Sequence, residues 1–584
     1  MSNLLDQDAR LLPQPRYSVV EQHKADGATY TPKSFADFVA AQIIAAAELP
    51  KQGFIRVLDP ACGDGALLYA LLDVLPQHVQ SRLEVVGFDT DEAAVCISSA
   101  RLREAFPAVS ICVEQRDFLE YVLNLEGSGD LFSEKVSADP FDLVISNPPY
   151  VRTQIMGAQQ AQVLAEQFGL TGRVDLYYPF LLGISHVLAK NGVAGIIVSN
   201  RFMTTKSGQA VRRQLLTRFR LRHVWDMGDT KLFDAAVLPA VLLATGQGAV
   251  SPGQVAFSSI YETKDDTTER VTGPLDAMSC PNATIVAVHD GRRFKVLHGT
   301  LDNGSDPEGV WRLATEATDS WLATVEAHTW APFSRIGKIR VGVKSTADKV
   351  FIRSDWDAMP ESERPELLMP LTTRHCARRF KANVAIQPKR ILYPHEVTPY
   401  GRAPVELERY PKTARYLEVY RNVLEARTYV IEAGRQWYEI WVPQDPAAWV
   451  APKLVFLDIS EKPTFWIDLE GTIVNGECYW LRCEGNAQQD WLWLALAVAN
   501  STFIESFYDH RFNNKLYAGR RRFITQYVEQ FPLPDPDSDL GSRIIATAKR
   551  IYDTTPSVEA DALAHELDAM VWCAFGLPVK EVLR

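Results

Sequence analysis

The sequence lacks the features of a secreted or membrane-embedded protein. It has no apolar run long enough to span a bilayer, and residues 1–15 lack the basic region and apolar core of a signal peptide. Cysteine is scarce, with 8 residues among 584, and several lie inside apolar runs, as small buried side chains do. We therefore expect a cytoplasmic protein with no membrane partner and no disulfide framework.

The sequence also lacks the clustered cysteines and histidines of a metal site. Cys478 and Cys483 lie close together, but no second pair of Cys or His residues follows nearby, so we predict no bound metal. The composition, 47% hydrophobic and 23% charged, is typical of a soluble globular protein. The length allows roughly two to four domains.

Positive charge is not in excess, because the formal net charge is −11. Basic residues are nevertheless concentrated in 201–223 and 372–390, which contain no acidic residue, and in 511–523, where they alternate with aromatic residues. One such cluster is commonly a solvated face, whereas three together favour an anionic polymer. The candidate nucleic-acid contacts are Arg374, Arg378, Arg379, Lys515, Arg520, Arg521 and Arg522.

The first part of the chain predicts strands alternating with helices. A helix is expected from Phe35 onward, with Thr31 as its cap, and it is followed by a short strand at 54–58. A glycine-containing loop, Asp59 to Gly65, then leads into a second apolar helix. Strand, glycine loop and helix open a doubly wound nucleotide-binding fold, although alone they would fit a dinucleotide dehydrogenase almost as well.

Acidic residues follow the next two predicted strands. The strand at 83–88 ends on Asp89, where a ribose diol would be held. The strand at 111–113 leads to Asp117 and Phe118, a carboxylate and an aromatic ring able to receive an adenine. Together with the glycine loop, this order is much more specific than the loop alone.

A fourth apolar strand, 141–146, ends at Asn147-Pro148-Pro149-Tyr150. The Asn147 side-chain oxygen and the Pro148 carbonyl are two acceptors on a stiff backbone, which suits the two N–H groups of one amino nitrogen. Tyr150 offers an aromatic face on which an extruded base could stack. The alternative is an ordinary strand-ending turn, because Asn-Pro commonly begins turns.

This order of motifs resembles the adenine-N6 DNA methyltransferases of restriction–modification systems. In particular it resembles the TaqI-like subclass, in which the catalytic half precedes the target-recognition half. The residues that carry the resemblance are Tyr30-Thr31-Pro32, Asp59-Pro60-Ala61-Cys62-Gly63-Asp64-Gly65, Phe88-Asp89, Arg116-Asp117-Phe118-Leu119, Asn147-Pro148-Pro149-Tyr150 and Asp175-Leu176-Tyr177.

The resemblance implies S-adenosylmethionine as cofactor and a flipped adenine as target. It implies that the adenine is gripped by Asn147, Pro148, Pro149 and Tyr150, with Phe233 stacked on its other face; the alternative for Phe233 is an ordinary core aromatic. The residues implied to hold the cofactor are Tyr30, Thr31, Asp59, Pro60, Ala61, Gly63, Gly65, Asp89, Thr90, Asp117, Phe118 and Asn147.

We therefore expect a Rossmann-like α/β methyltransferase domain followed by a mixed α+β DNA-recognition domain. The expected boundaries are 1–255 for the catalytic domain, 256–330 for a polar connector, 331–540 for target recognition and 541–584 for a helical end. The expected substrate is double-stranded DNA, with restriction left to a separate endonuclease or to none. The alternatives are methylation of RNA or of protein glutamine, and a non-catalytic DNA-binding subunit.

Overall fold

The structure is a computed structural model, and it describes residues 31–126, 139–150, 158–170, 175–233, 238–247, 253–282, 284–512, 516 and 519–578. The predicted contacts Tyr30 and Lys515 lie outside these residues. The chain divides into two compact units, Met1–Thr315 (unit 1) and Glu316–Arg584 (unit 2). Within the described ranges, no helix has the length and apolar character needed to cross a membrane.

Unit 1 is built on one large sheet, in which the described residues form 11 strands in the order β11-β10-β8-β6-β7-β5-β4-β1-β2-β3, with β9 paired to β10. The strands are β1 (Ile55–Asp59), β2 (Leu83–Asp89), β3 (Ser110–Gln115), β4 (Phe141–Ser146), β5 (Leu188–Ser199), β6 (Phe219–Asp226), β7 (Pro239–Gly246), β8 (Ala256–Glu262), β9 (Thr284–Ala287), β10 (Arg293–Asp302) and β11 (Arg312–Ala314).

The central strands β3, β2, β1, β4 and β5 run parallel, and β7 is antiparallel between β5 and β6. β4 is buried on both faces, which is why it is an almost continuous apolar run. The helices are α1 (Lys33–Ala46), α2 (Ala66–Val74), α3 (Glu92–Ala105), α4 (Phe118–Glu126), α5 (Ala158–Gln167), α6 (Tyr177–Val187), α7 (Gln209–Arg218) and α8 (Pro274–Met278), with 3₁₀ turns at Gln77–Arg82, Asn200–Met203 and Lys206–Gly208.

The beginning of the predicted connector, 256–330, differs from expectation. β8 pairs in parallel with β6, and β10 and β11 extend the same sheet as far as Ala314. The polar loops that suggested a connector are therefore the turns between these additional strands, and the sheet of unit 1 continues through this part of the chain.

Unit 2 mixes small sheets with helices. Its two larger sheets have the strand orders β13-β24-β20-β22-β16 and β14-β17-β15-β23. The strands are β12 (Ala331–Pro332), β13 (Arg340–Val341), β14 (Ile352–Arg353), β15 (Leu368–Thr372), β16 (Phe380–Lys381), β17 (Arg390–Leu392), β18 (His395–Thr398), β19 (Gly401–Pro404), β20 (Lys453–Leu457), β21 (Ile459–Ser460), β22 (Phe465–Asp468), β23 (Ile473–Val474), β24 (Cys478–Leu481), β25 (Arg521–Arg522) and β26 (Pro532–Leu533).

The helices of unit 2 contribute to two cores, one that includes Phe465, Phe503 and Trp572 and one that includes Trp356 and Tyr416. The helices are α9 (Glu316–Ala327), α10 (Asp348–Phe351), α11 (Pro411–Val419), α12 (Arg421–Glu425), α13 (Thr428–Glu432), α14 (Asp490–Ala499), α15 (Thr502–Phe512), α16 (Thr525–Val528), α17 (Asp539–Thr554) and α18 (Val558–Ala574), with 3₁₀ turns at Phe333–Arg335, Trp356–Ala358, Arg374–Cys376, Leu407–Arg409 and Pro446–Ala448. The predicted fold class, a doubly wound α/β sheet followed by a mixed α+β part, is confirmed.

The turn from β1 into α2 requires glycine at its last position. Gly65 immediately precedes α2 with φ of +78°, a left-handed conformation that costs other residues about 1–2 kcal/mol. A Cβ atom on Gly65 would lie 3.0 Å from the Cβ of Ser98 on α3. The turn is thus constrained by its backbone conformation and by the close approach of α3.

We predict that Gly65→Ala lowers the melting temperature of the protein by several degrees more than Gly53→Ala. Gly53 has the same φ of +78° but no atom within 4 Å of an added Cβ, so the difference between the variants isolates the crowding against Ser98. Thermal unfolding followed by circular dichroism measures both. Equal losses would show that α3 yields to the added methyl group.

Candidate active site

The candidate site lies at the carboxyl edge of the parallel strands of unit 1. Asp59 ends β1 and is in register with Gly87 of β2, while Leu58 of β1 is in register with Val144 of β4. Neighbouring strands lie about 4.8 Å apart, so the loops after β2, β1 and β4 begin side by side. This edge is where open α/β sheets bind ligands.

The glycine loop is fastened to the two acidic strand ends. The Gly63 N–H donates to Asp89 Oδ2 at 2.8 Å, and the Ala61 N–H donates to Asp59 Oδ1 at 3.1 Å. The second Asp89 oxygen accepts from the Asp91 N–H at 3.0 Å. Both carboxyl groups are therefore held in fixed orientations by backbone donors.

The remaining residues predicted around this loop fall into two environments. Pro60, the second residue of the loop, is buried, whereas Thr90 is exposed after β2. The Thr90 carbonyl accepts a hydrogen bond from the Gln115 side chain at 3.2 Å, which ties the end of β2 to the end of β3.

Asp59 is a buried acid that has no cationic partner among the described residues. Its side chain is 0% exposed, and its Oδ2 atom has no hydrogen-bond partner among the described residues. Burial, reinforced by the nearby carboxylates of Asp89 and Asp64, raises the pKa of Asp59 to about 8, although the bond from Ala61 opposes the shift. A buried carboxyl with this pKa holds a proton at neutral pH.

Asp117 and Phe118 occupy different places. Asp117 is partly exposed and accepts from the Leu119 N–H at 2.7 Å, at the start of α4. Phe118 is 1% exposed, and its ring stacks on Phe180 with centroids 5.6 Å apart. Phe118 also fills the space left by the missing side chain of Gly183 on α6, so in this structure it is a core residue and does not offer a ring face to a ligand.

Asn147 links the fourth strand end to the beginning of the described chain. Its Nδ2 donates to Thr31 Oγ1 at 3.0 Å, and its Oδ1 accepts from the Tyr150 hydroxyl at 2.7 Å. Thr31 therefore orients Asn147 and does not cap α1, whose first turn follows Pro32 without a side-chain cap.

The two prolines complete this loop. Pro148 is buried, whereas Pro149 is partly exposed. Among the hydrogen bonds of the described residues, none has the Pro148 carbonyl as acceptor. The loop thus carries two carbonyl oxygens in adjacent residues, on a segment whose two prolines have no N–H to join a sheet.

Sequence reasoning did not assign a role to Tyr177 or Ser146. Tyr177 is buried at the start of α6 and meets the Tyr150 ring edge-on, with centroids 5.8 Å apart, so it supports that ring. Ser146, the last residue of β4, has a buried hydroxyl with no partner among the described residues. Its position as the single polar residue ending an apolar run was the available signal.

Phe233 lies in the core of unit 1. It is 5% exposed and packs edge-on against Phe35 of α1, with centroids 5.6 Å apart. This is the position of the core aromatic that sequence analysis gave as the alternative. Stacking on a target base would require the Phe233 ring to leave this contact.

Some of the basic residues in 372–390 form internal contacts. The Arg378 guanidinium donates to the carbonyls of Lys381 at 3.0 Å and Ala382 at 3.2 Å. The Arg379 side chain is exposed, although desolvation by neighbouring protein atoms lowers the pKa of its guanidinium from the usual value. Arg374 is exposed, with Glu477 at 3.7 Å.

The last basic cluster is divided in the same way. Arg521 forms a two-bond ion pair with Asp509 at 2.8 and 2.9 Å and is largely buried, so it stabilises unit 2 and is not presented to a ligand. Arg522 pairs with Asp458 at 3.1 Å, and Arg520 is exposed. Only part of the predicted nucleic-acid surface is therefore available in this structure.

The residues at the carboxyl edge fit S-adenosylmethionine, the cofactor implied by the resemblance. Its amino-acid ammonium group suits the unpartnered buried Oδ2 of Asp59, and its ribose diol suits the oriented carboxylate of Asp89. The described residues contain no group of three or more His, Cys, Asp or Glu side chains that could hold a metal ion.

Comparison with known proteins agrees with this chemistry. Residues 84–233 match the family described as Eco57I restriction-modification methylase, and residues 390–533 match the TaqI-like C-terminal specificity domain. The Type II methyltransferase M.BanIII of Aneurinibacillus aneurinilyticus is 35% identical over 573 residues, covering 95% of this chain and 98% of the relative. The Type II methyltransferase M.PaeR7I of Pseudomonas aeruginosa is 23% identical, covering 88% of this chain and 86% of the relative.

Among solved structures, the Type IIL restriction-modification enzyme MmeI in complex with DNA shares the fold. The TM-score is 0.57 at 14% sequence identity, with 94% of this chain and 73% of the other covered. The level and extent of identity to M.BanIII establish the family. The chain belongs to the Type II restriction–modification methyltransferases: it is a DNA methyltransferase that uses S-adenosylmethionine, the modification component of such a system.

Proposed function

We propose that this enzyme transfers the methyl group to N6 of an adenine extruded from double-stranded DNA. The observation that carries the proposal is the Asn147 amide, whose oxygen is oriented by Thr31 and Tyr150 beside the Pro148 carbonyl. An exocyclic amino group has two N–H donors on one nitrogen, and it can reach such acceptors only when the base has left the helix.

The cofactor-binding residues we propose are those at the carboxyl edge. Asp59 Oδ2 would accept from the ammonium group, Asp89 from the ribose hydroxyls and Asp117 from the adenine amino group, with Gly63 and Gly65 allowing close approach of the backbone. When bound, S-adenosylmethionine supplies an electrophilic methyl group on a sulfonium sulfur.

The chain itself prepares the nucleophile. The Asn147 oxygen and the Pro148 carbonyl accept hydrogen bonds from the two N–H groups of the target amino group. These bonds draw the nitrogen lone pair out of conjugation with the base. As positive charge develops on that nitrogen, the same two acceptors stabilise it. Because the amino nitrogen itself attacks the methyl group, no cysteine nucleophile is needed. The proton that becomes acidic on the methylated nitrogen is released to water.

The sequence alternatives are not favoured. Methylation of RNA or protein glutamine would leave the match of residues 390–533 to a specificity domain without a role, and a silent subunit would not need the intact acceptors of the Asn147 loop. We propose that unit 2 selects the DNA sequence and that cleavage belongs to a separate endonuclease.

The proposal is tested by digesting DNA from cells expressing this chain to nucleosides and separating them by mass spectrometry. We expect N6-methyladenine among the nucleosides. Sequencing of the modified bases should then place it within a single recognition sequence. N4-methylcytosine as the only product would contradict the choice of base while leaving DNA methylation intact.

Asn147→Ala removes one of the two acceptors. We expect the turnover number to fall by about 10²–10³-fold, the usual effect of deleting one oriented transition-state hydrogen bond, while cofactor binding weakens much less. Radiolabel transfer to DNA measures the first and calorimetric titration the second. A variant that keeps its melting temperature and full turnover would refute the role of Asn147.

Tyr150 is tested by a matched pair of variants. Tyr150→Phe removes only the hydroxyl that bonds Asn147, so methylation should stay within about fivefold, the size of one hydrogen bond. Tyr150→Ala also removes the stacking surface, and kcat/KM should fall by tenfold or more. Equal losses in both variants would assign the function of Tyr150 to its hydroxyl.

We expect cofactor binding to release a proton, because the Asp59 carboxylate would form an ion pair with the ammonium group of the cofactor. The pKa of Asp59 near 8 falls when a cation pairs with it, so below pH 8 binding should release up to one proton, and affinity should rise with pH until about pH 8. Calorimetry at pH 6.5 in two buffers of different ionisation enthalpy counts the protons.

Asp59→Asn is the control for this linkage, because it should bind the cofactor more weakly and release no such proton. The raised pKa also means that Asp59 stabilises the cofactor-free fold at low pH and that this contribution is lost as pH rises toward 8. The melting temperature should therefore fall less steeply over that range in Asp59→Asn than in the wild type. Equal proton release by both proteins would exclude Asp59 as the source.

A further inference from the structure

A short loop of unit 2, residues 383–389, presents aliphatic side chains to solvent. It connects β16 to β17, and its Val384 and Ile386 side chains are 96% and 101% exposed. Two fully exposed β-branched residues within three positions are unusual, because each leaves apolar surface in water that folding normally buries.

Both ends of this loop are fastened to the body of unit 2. At the first end, Arg378 donates to the carbonyls of Lys381 and Ala382, and the Asn383 N–H donates to the Cys376 carbonyl at 2.8 Å. At the second end, the Leu371 N–H donates to the Lys389 carbonyl at 3.1 Å. The exposed residues therefore project from a fixed base.

The surrounding charge favours a polyanion. Residues 372–395 include six Lys or Arg residues and no acid, and Arg374, Arg379 and Lys389 are exposed. Arg374 has Glu477 at 3.7 Å and Arg390 has Asp357 at 2.6 Å, so Arg379 and Lys389 carry most of the unpaired positive charge near the loop. Elsewhere in unit 2, the exposed aliphatics Val419 and Val423 lie beside Glu418 and Glu425, which a nucleic acid would repel. Within the described part of unit 2, the 383–389 loop places two almost fully exposed aliphatic side chains next to an exposed lysine, Lys389.

We propose that the 383–389 loop enters a groove of the substrate DNA, where Val384 and Ile386 contact thymine methyl groups. Aliphatic side chains cannot accept or donate hydrogen bonds, and the thymine C5-methyl is the apolar group that a base pair offers in the major groove. Lys389 and Arg374 contact the flanking phosphates, which fix the depth of the loop. The inference rests on DNA being the substrate and does not depend on which base atom is methylated.

The test uses the full-length variant Val384→Ser/Ile386→Ser and fluorescein-labelled duplexes. The duplexes contain the recognition site found by sequencing modified bases, with thymine or with deoxyuridine, which lacks the methyl group. For the wild type, we expect deoxyuridine to weaken binding about tenfold in fluorescence anisotropy. The double variant should bind the thymine duplex about tenfold more weakly than the wild type and should not distinguish the two duplexes.

Two further variants separate base contact from other causes. Val558→Ser, an equally exposed valine at the start of α18 beside acidic residues, should leave both affinities unchanged. Lys389→Gln should weaken binding to all duplexes and reduce the slope of log affinity against log salt by about 1.

The double variant also separates DNA from a protein partner. Unchanged DNA affinity in a double variant of normal melting temperature would overturn the proposal and would favour an acidic protein as the occupant of the loop. A loss of affinity that leaves the deoxyuridine effect intact would overturn the contact with thymine methyl groups.

Discussion

The parallel pairing of β4 with β1 is the constraint on which the site depends. It brings the loop that begins at Asn147 beside the strand end at Asp59, and the side-chain bond from Asn147 to Thr31 adds the start of α1 to the same edge. A shift of β4 by one residue would turn its apolar side chains to the opposite face and move Asn147 away from both partners. The register of β4 against β1 therefore determines where the chemistry occurs.

The sequence predicted the strand ends better than it predicted the aromatic residues around them. Glycine loops, acids after strands and the prolines after β4 are local signals, because each depends on the conformation of a few consecutive residues. Whether an aromatic ring is exposed depends on what packs against it. Phe118 is covered by Phe180 from α6 and Phe233 by Phe35 from α1, contacts across more than 60 residues of sequence that no local pattern contains.

The charge pattern of the sequence also could not predict which basic residues are available to bind DNA. A run of arginines does not reveal which guanidinium groups have internal partners. Arg521 is neutralised by Asp509 and Arg378 is used by backbone carbonyls, whereas Arg374 and Arg520 remain exposed. The continuation of the sheet between 256 and Ala314 was also not predicted from local patterns. β8 pairs with β6, and in the sequence an antiparallel strand and a long loop lie between them.

The attachment of the 383–389 loop has a consequence for how such enzymes diverge. Nearly all the bonds that hold its two ends join main-chain groups or end on main-chain carbonyls, which every amino acid possesses. Residues at the tip can consequently be exchanged without disturbing the framework that carries them. Evolution could in this way sample new target sites one substitution at a time, while the fold and the transfer chemistry stay as they are.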